Sequence, residues 1–474
     1  MAIKVNGDIV VDVVSGNVEL KNVASITFGD ATVQSTAGSA GVRNATGASG
    51  GELLHTIKNP SLYSTGTNDD FGMAAATNGT ITVIGAPYED AQGQGSSGLV
   101  YVFDNATGDL SFTIENPGYL YNNFGDSFGY SVAVSDKYIL VGAPLEDVNV
   151  VGDNGGVVYV FNLAGTLLRK IANPNTYGTQ TNDNFGDLNS LSINGDYGIV
   201  GVGNEDLGGT SSGFVYIINL LTGSVAAYFP NPNNYSTGAG DYYGVRIATY
   251  GDYLAVSAPY EDSAAGTNTG AVYVYSLSTG ANLLYTLLNP SPKEFGRAIA
   301  MYGDYLAISS LSSSSVQKVL IYDVTTATLV QTITTPLSFV YTFGKSLALN
   351  DKYLAVTCQS NTDGGKVLVY DITTWEIAYT LDNPNAYGGA GNDYFGNTIS
   401  FGGDYLLAAS YFEEDVSGGY SGVAYLFVVT GNKAIHDVES IYLANGTEIG
   451  STLKRLSKVT ASQTNLDRLY TLVS

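Results

Sequence analysis

A repeating unit constrains the fold of this 474-residue chain more than any other feature of its sequence. An aromatic residue followed by glycine recurs seven times, beginning at Phe71, Phe128, Phe185, Tyr243, Phe295, Phe343 and Phe395. Successive pairs lie 57, 57, 58, 52, 48 and 52 residues apart, and a proline, usually as Asn-Pro, precedes each pair. A period near 50 residues indicates one supersecondary unit that buries its apolar face only by stacking on its neighbours.

Each unit has the pattern of four β-strands. In the second unit, alternating or continuous apolar runs occupy residues 128–135, 138–144, 156–162 and 167–174. Short connections containing Gly, Asn or Asp separate the first two runs in every unit, which is typical of tight hairpins that need positive φ. The sequence therefore predicts an all-β chain whose repeats are the four-stranded blades of a β-propeller.

The seventh unit lacks its fourth strand, and a matching strand precedes the first unit. Residues 52–60 (ELLHTIKNP) have the pattern of that missing strand. We expect this strand to complete the last blade as a latch, since closure pairs edges that would otherwise be exposed. The predicted organisation is a seven-bladed propeller over 51–430, with small β-rich anchor segments at 1–50 and 431–474. Both segments are expected to leave the ring on one side, opposite its longer loops.

The second unit also resembles a known repeat. Its FG…YILVGAP…GGVVYVF pattern (128–161) is similar to the FG-GAP repeats of integrin α-chain propellers and of many bacterial and viral propellers. The resemblance covers residues 51–430 and implies the same propeller fold. Calcium-binding members carry an Asp-rich DxDxDG loop between the first two strands. Here that connection is a tight turn, so the calcium site is not carried over, and no metal or cofactor is expected.

Composition and missing motifs exclude several classes of function. The formal net charge of −24 opposes binding to nucleic acid and to anionic membranes. The single Cys358, which follows an apolar run, is expected in the core, and Trp375 is expected to pack on a turn. No apolar run could span a bilayer, no nucleophile or phosphate-binding motif occurs, and we expect no enzymatic activity. The opening residues lack the pattern of a signal peptide, so folding in a cytoplasm is expected.

The predicted propeller has one loop-rich face, formed by the connections between the second and third strands and between blades. Binding residues concentrate on loops held by a rigid scaffold, so this face is the candidate binding surface. Five loops carry an acidic pair: Glu89 and Asp90, Glu146 and Asp147, Glu205 and Asp206, Glu261 and Asp262, Glu414 and Asp415. Five inter-blade loops carry a tyrosine soon after proline: Tyr63, Tyr121, Tyr177, Tyr235 and Tyr387.

Two interpretations of these residues remain open. They form a surface that binds glycans or divalent cations, or they serve the repeat, with the acids capping loop amides and tyrosines packing between blades. The acidity favours neutral glycans or cation-bridged polymers as ligands. Arg246, Arg297 and Lys345 fall near the start of the first strand in consecutive units. They form either a basic spot near the channel or, as we expect, salt bridges to the acidic loops.

The terminal segments indicate a setting for the propeller. ITFGDATVQSTAG (26–38) and KVTASQTNLDRLYTLVS (458–474) resemble short segments of bacteriophage tail-fibre and other virion proteins, and the opening MAIKVNGDIVVD resembles the starts of such proteins from marine phages. The resemblance implies a virion structural protein that contacts other virion proteins through both termini, as a homo-oligomer exposed on the particle. Host attachment through a receptor or glycan is the leading prediction. Capsid decoration, a cellular adhesin or lectin, and a polysaccharide depolymerase remain alternatives.

Overall fold

A computed structural model describes most of the repeat region and only isolated strands near the N-terminus. Side chains are described for residues 51–60, 68–91, 95–118, 125–148, 153–175, 181–233, 238–278, 280, 282–289, 294–311, 317–336, 342–359, 364–384, 393–414 and 420–429. The backbone is also described for strands β1 Ala2–Val5, β2 Asp8–Val14, β3 Asn17–Glu19, β4 Ser25–Thr27 and β5 Val33–Ser35.

The repeats form seven four-stranded antiparallel sheets, as the sequence predicts. We name them blades 1 to 7 in chain order, and their strands A to D. The A strands are Ala75–Thr77, Ser131–Val134, Leu191–Asn194, Ile247–Tyr250, Phe295–Tyr302, Thr342–Leu349 and Thr398–Gly402. The B strands are Ile81–Ala86, Tyr138–Ala143, Tyr197–Val202, Tyr253–Ala258, Tyr305–Ser310, Tyr353–Gln359 and Tyr405–Ser410.

The outer two strands complete each blade. The C strands are Leu99–Asp104, Val157–Asn162, Phe214–Asn219, Ala271–Ser276, Lys318–Asp323, Lys366–Asp371 and Val423–Val428. The D strands of blades 1 to 6 are Leu110–Glu115, Leu167–Ala172, Val225–Pro230, Asn282–Leu288, Thr328–Thr334 and Ile377–Asp382. The D strand of blade 7 is Glu52–Lys58, which lies beside Val423–Val428, so the predicted latch is confirmed.

The A strands line the axis of a closed ring. Each contacts the A strands of the two neighbouring blades, and Thr398–Gly402 of blade 7 contacts Ala75–Thr77 of blade 1. The B and C strands are almost wholly buried, whereas the D strands are mostly exposed or half-buried and bury at most one residue each. This gradient follows from the sequence, because strands covered on both faces need continuous apolar runs and outer strands need apolar residues on one face only.

The repeated aromatic residue fills the space between blades. Phe128 is fully buried, and its ring meets the Tyr159 ring edge to face at a centroid distance of 5.6 Å. The same contact recurs in blades 1 and 7, between Phe71 and Tyr101 and between Phe395 and Tyr425. Edge-to-face aromatic pairs contribute about 0.5–1.5 kcal/mol each beyond the area they bury.

Glycines let neighbouring blades approach at the backbone. A Cβ added to Gly201, on strand B of blade 3, would lie 1.8 Å from the carbonyl oxygen of Gly244 in blade 4. Gly244 itself has a φ of +95°, a conformation that side chains disfavour. The glycine of the aromatic-Gly pair and the glycine of the GAP segment are therefore two sides of one interface between blades.

The connections differ at the two ends of the blades. The A–B and C–D turns are short, for instance residues 135–137 and 163–166 in blade 2. The B–C loop of that blade spans 144–156, and the connection from its D strand to the next blade spans 173–190. The end of each blade that carries these longer connections is called the loop face below.

The N-terminal strands pair locally. Strands β1 to β3 form a three-stranded antiparallel sheet, and β4 pairs with β5 as a two-stranded sheet within the N-terminal segment 1–50, which is predicted to be β-rich. Backbone contacts divide the chain into one unit of 1–52 and 428–474 and another of 53–427. The described residues contain no helix that is long and apolar enough to cross a bilayer.

Candidate functional site

In blades 1 to 4 the first acid of the predicted pair lies inside its blade instead of on the surface. Glu89, Glu146, Glu205 and Glu261 are 0%, 5%, 1% and 2% exposed. The hydroxyl of Tyr159, on strand C, donates to Glu146 at 2.8 Å, and that of Tyr273 donates to Glu261 at 2.6 Å. Burying a carboxylate without partners is costly, so the tyrosine hydroxyl is what makes the buried position tolerable.

In blades 1 to 4 the second acid of the pair caps its own loop. One carboxylate oxygen of Asp90, Asp147, Asp206 and Asp262 accepts a backbone N–H five to seven residues further on. The donors are the amides of Ser96, Asn154, Ser211 and Asn268, which all have positive φ. These are the contacts expected if the acids serve the repeat. Ligand binding by the same residues stays a prediction.

In blade 7 the buried position belongs to Glu413, one residue before the predicted Glu414. Glu413 is fully buried and accepts the Tyr425 hydroxyl at 2.6 Å, as its counterparts do in other blades. Glu414 pairs through its backbone with Tyr420 instead. The remaining predicted residues lie outside the described residues: Asp415, Tyr63, Tyr121, Tyr177, Tyr235 and Tyr387.

A second acidic position was missed at the sequence level. An aspartate stands two residues before the aromatic-Gly pair in five units, and the asparagine of the preceding Asn-Pro donates to it at 2.8–3.2 Å. These aspartates are Asp69, Asp126, Asp183, Asp241 and Asp393. Their constant ten-residue spacing from the asparagine was the available signal. A hydrogen bond therefore joins the Asn-Pro segment of each of these units to the segment that carries the aromatic-Gly pair.

Burial and mutual repulsion raise the pKa values of these acids. Removal from water, with a smaller contribution from Glu146, raises the pKa of Asp126 to about 7. Removal from water likewise raises the pKa of Glu261 to about 7, with Asp241 and Asp262 adding repulsion. Several carboxyl groups of this network are therefore partly protonated at neutral pH, and the loop face carries less negative charge than its composition suggests.

Blade 3 buries two of these acids, one from each acidic position of the repeat. Asp183 and Glu205 are each 1% exposed, and Asp183 Oδ1 and Glu205 Oε2 find no hydrogen-bond donor in the described part of the chain. Burial, followed by the charge of Asp183, raises the pKa of Glu205 to about 7. Two carboxylates buried side by side repel each other when both are ionised, which favours the protonated form of Glu205.

Blades 5 and 6 lack this network. They carry neither the acidic pair nor the aspartate, and Leu320 and Leu368 replace the strand C tyrosine. Their B–C loops span only 311–317 and 360–365. Acid and tyrosine are thus present together in five blades and absent together in two, as expected for groups that need each other.

Three cations occupy the start of strand A in blades 4 to 6. Arg246, Arg297 and Lys345 line one cavity of about 390 Å³ at the loop-face end of the A strands. Among the described residues, none of these cations forms the expected salt bridge to an acidic pair. Arg297 Nε lies 3.5 Å from Glu294, whereas no carboxylate of the described residues lies within 4.0 Å of the Lys345 ammonium.

The other singled-out residues have structural positions. Cys358 is 2% exposed on strand B of blade 6, as predicted. Trp375 lies on a C–D turn and packs edge to face on Tyr305, also as predicted. Among the described residues, no three His, Cys, Asp or Glu side chains are grouped so that they could hold a metal ion.

Comparison with known proteins agrees with this architecture. Residues 65–103, 122–161 and 236–275 match the FG-GAP repeat family. The chain is also similar in fold to a chain in a crystal structure of the Mitotic Checkpoint Complex, with a TM-score of 0.50 and 12% identity over 84% of this chain and 99% of that one. No curated protein matches it significantly. The chain is a seven-bladed β-propeller that carries FG-GAP repeats.

Proposed function

We propose that this chain is a non-enzymatic structural protein of a bacteriophage particle, which attaches the particle to its host as a tail-fibre or appendage protein. The observation that carries the proposal is the difference between the two ends of the blades. One end is trimmed to short turns, and the other holds long loops on a closed, densely packed ring. An FG-GAP propeller of this form fits an adhesin-like or binding role.

The terminal segments supply the particle context. Residues 26–38 and 458–474 resemble segments of virion proteins, and neither belongs to the repeat. In this proposal they contact other virion proteins and assemble the chain into a homo-oligomer, while the loop face meets a receptor or glycan on the host surface. The virion is thus the expected location, and neither nucleic acid nor a membrane interior is an expected partner.

Location on the particle tests the proposal directly. We suggest raising antibodies against the purified chain and applying them, with gold labels, to particles of the phage that encodes it. Label on a tail appendage, together with loss of adsorption to the host when antibody is present, is the expected result. Label on the capsid with normal adsorption would replace attachment by capsid decoration. Particles without label would contradict a virion role altogether.

Incubation with host surface polysaccharide tests the non-enzymatic part. The purified chain is expected to leave the polymer length unchanged in size-exclusion chromatography. Shorter chains after incubation would show a depolymerase and contradict the proposal.

A further inference from the structure

The most informative unassigned feature is the cavity at the loop-face end of the A strands in blades 4 to 6. Its cationic lining is Arg246, Arg297 and Lys345, and its volume is about 390 Å³. The remaining lining residues are Leu311, Thr342, Gln359, Tyr394 and Phe412. This volume lies within the range of small-molecule sites, about 300–1,000 Å³.

The three cations act on one another. Partial removal from water lowers the pKa of Lys345, and the like charges of Arg297 and Arg246 lower it further. Burial lowers the pKa of Arg246 too, again with a contribution from Arg297. With a pKa of about 10, Arg246 remains charged at neutral pH. Holding like charges together is unfavourable, and a bound anion relieves that repulsion.

Nearby carboxylates compensate the cations only partly. Asp187 lies beside Arg246 and stabilises its charge, and Glu294 lies beside Arg297 at 3.5 Å. Lys345 instead lies over the Tyr394 ring, with its nitrogen 5.6 Å from the ring centroid. In a chain with 43 acidic residues, Arg297 and Lys345 lie in blades 5 and 6, the two that lack the repeat's acids. Positive charge is therefore concentrated where the acidic network stops.

Two of the connections that lead into these blades are short. The connection leading into blade 5 spans 289–294 and that into blade 6 spans 335–341, against 173–190 between blades 2 and 3. The Lys345 side chain is exposed and that of Arg297 is 36% exposed, so solvent reaches both, whereas Arg246 is half-buried.

We propose that this cavity binds the carboxylate of an acidic sugar unit. The ammonium and guanidinium groups supply charge-assisted hydrogen bonds to the carboxylate, with Arg offering a planar fork that matches its geometry. Thr342 and Gln359 supply neutral donors and acceptors for hydroxyl groups, and Tyr394 and Phe412 supply aromatic surface for the apolar face of the ring. The inference names the ligand class of the proposed attachment face and rests on that proposed function.

Titration of the full-length chain with single sugars tests the inference. The probes are D-glucuronic acid and N-acetylneuraminic acid, with D-glucose and sodium sulfate as comparisons, followed by calorimetry and ligand-observed NMR. We expect at least one sugar acid to bind with a millimolar or lower Kd, weakening as salt is raised, and D-glucose not to bind.

Lys345→Gln is the decisive variant, because this exposed side chain has no ion pair in the described residues and its loss should leave the melting temperature unchanged. It is expected to weaken sugar-acid binding by about tenfold or more, the usual loss for a hydrogen bond to a charged group. Lys352→Gln is the matched control. Its exposed ammonium lies in an A–B turn at the other end of the blade, 3.9 Å from Asp404, and its loss should leave binding intact.

Three results would overturn the inference: no binding of either sugar acid at about 10 mM, equal binding by Lys345→Gln, or binding of sulfate without the sugar acids. The attachment function fails separately. If the chain binds sugar acids but its antibody leaves host adsorption unchanged, the ligand assignment stands and the attachment role is contradicted. If the antibody blocks adsorption but Lys345→Gln binds sugar acids as well as the natural chain does, the attachment role stands and the ligand assignment is contradicted.

Discussion

Replacing Glu205 by glutamine should remove the pH dependence that this buried residue imposes on stability. The pKa of Glu205 is raised from 4.5 to about 7 in the folded chain, so the folded state holds a proton that the unfolded state has already released between these values. The free energy of unfolding therefore falls as pH rises from about 4.5 to 7. The stabilising contribution is complete below 4.5 and is lost above 7.

The size of the effect follows from the shift. Each pKa unit corresponds to about 1.4 kcal/mol, so the rise of Glu205 represents on the order of 3 kcal/mol across this pH window. For a ring of this length, that corresponds to about 4 °C in melting temperature. Glutamine cannot ionise, and its amide N–H can donate to Asp183 Oδ1, which otherwise has no donor among the described residues.

The assay is the difference in melting temperature between Glu205→Gln and the natural chain, measured from pH 4.5 to pH 8.5. The difference should grow in favour of the variant as pH rises. Asp206→Asn is the matched control, because it removes the charge of a neighbouring carboxylate that is exposed instead of buried. That carboxylate accepts the backbone N–H of Ser211. A Glu205→Gln difference that is constant with pH, or that shrinks as pH rises, would refute the raised pKa of Glu205.

Three further outcomes follow from the packing of the ring. Gly201→Ala should lower the free energy of unfolding by several kcal/mol, because the added Cβ would overlap the Gly244 carbonyl. Gly195→Ala is the control and should cost about 1 kcal/mol, because nothing lies within 4 Å of the added Cβ. Equal melting temperatures of the two variants would contradict the contact between blades. Ile57→Ser should loosen the latch and expose the ring to limited proteolysis at protease levels that leave the natural chain intact. Cys358 should react with maleimide only under denaturing conditions, and rapid labelling of the native chain would show that its strand is not packed as described.

The ring could be predicted from the sequence because its determinants are local and repeated. Alternation, tight-turn residues and the aromatic-Gly pair recur in every unit, so seven weak signals reinforce one another. The latch followed from the same count, since residues 52–60 match the strand that blade 7 lacks. The reason why Gly201 and Gly244 must be glycine could be found only from the structure, because the two residues lie in different blades and their backbones meet at the interface.

The role of the acids could not be read in the same way. Glu146 and its partner Tyr159 lie on different elements, and their contact depends on how strand C aligns beside strand B. A one-residue ambiguity in blade 7 was enough to move the prediction from Glu413 to Glu414. The joint presence of acid and tyrosine in five units was visible in the sequence. Only the burial of the acids shows why a nearby hydroxyl donor is required.

The distribution of charge changes what the loop face is suited to bind. The sequence predicts five acidic pairs on this face, and their negative charge would repel anionic ligands. In the structure the first acid of four of these pairs, and Glu413 in blade 7, is buried, and raised pKa values leave Glu205 and Glu261 only partly ionised at neutral pH. The cations of blades 4 to 6, by contrast, line an open cavity. An electrostatic field depends on where charges lie and how exposed they are, so an acidic chain can still present a local site for an anion.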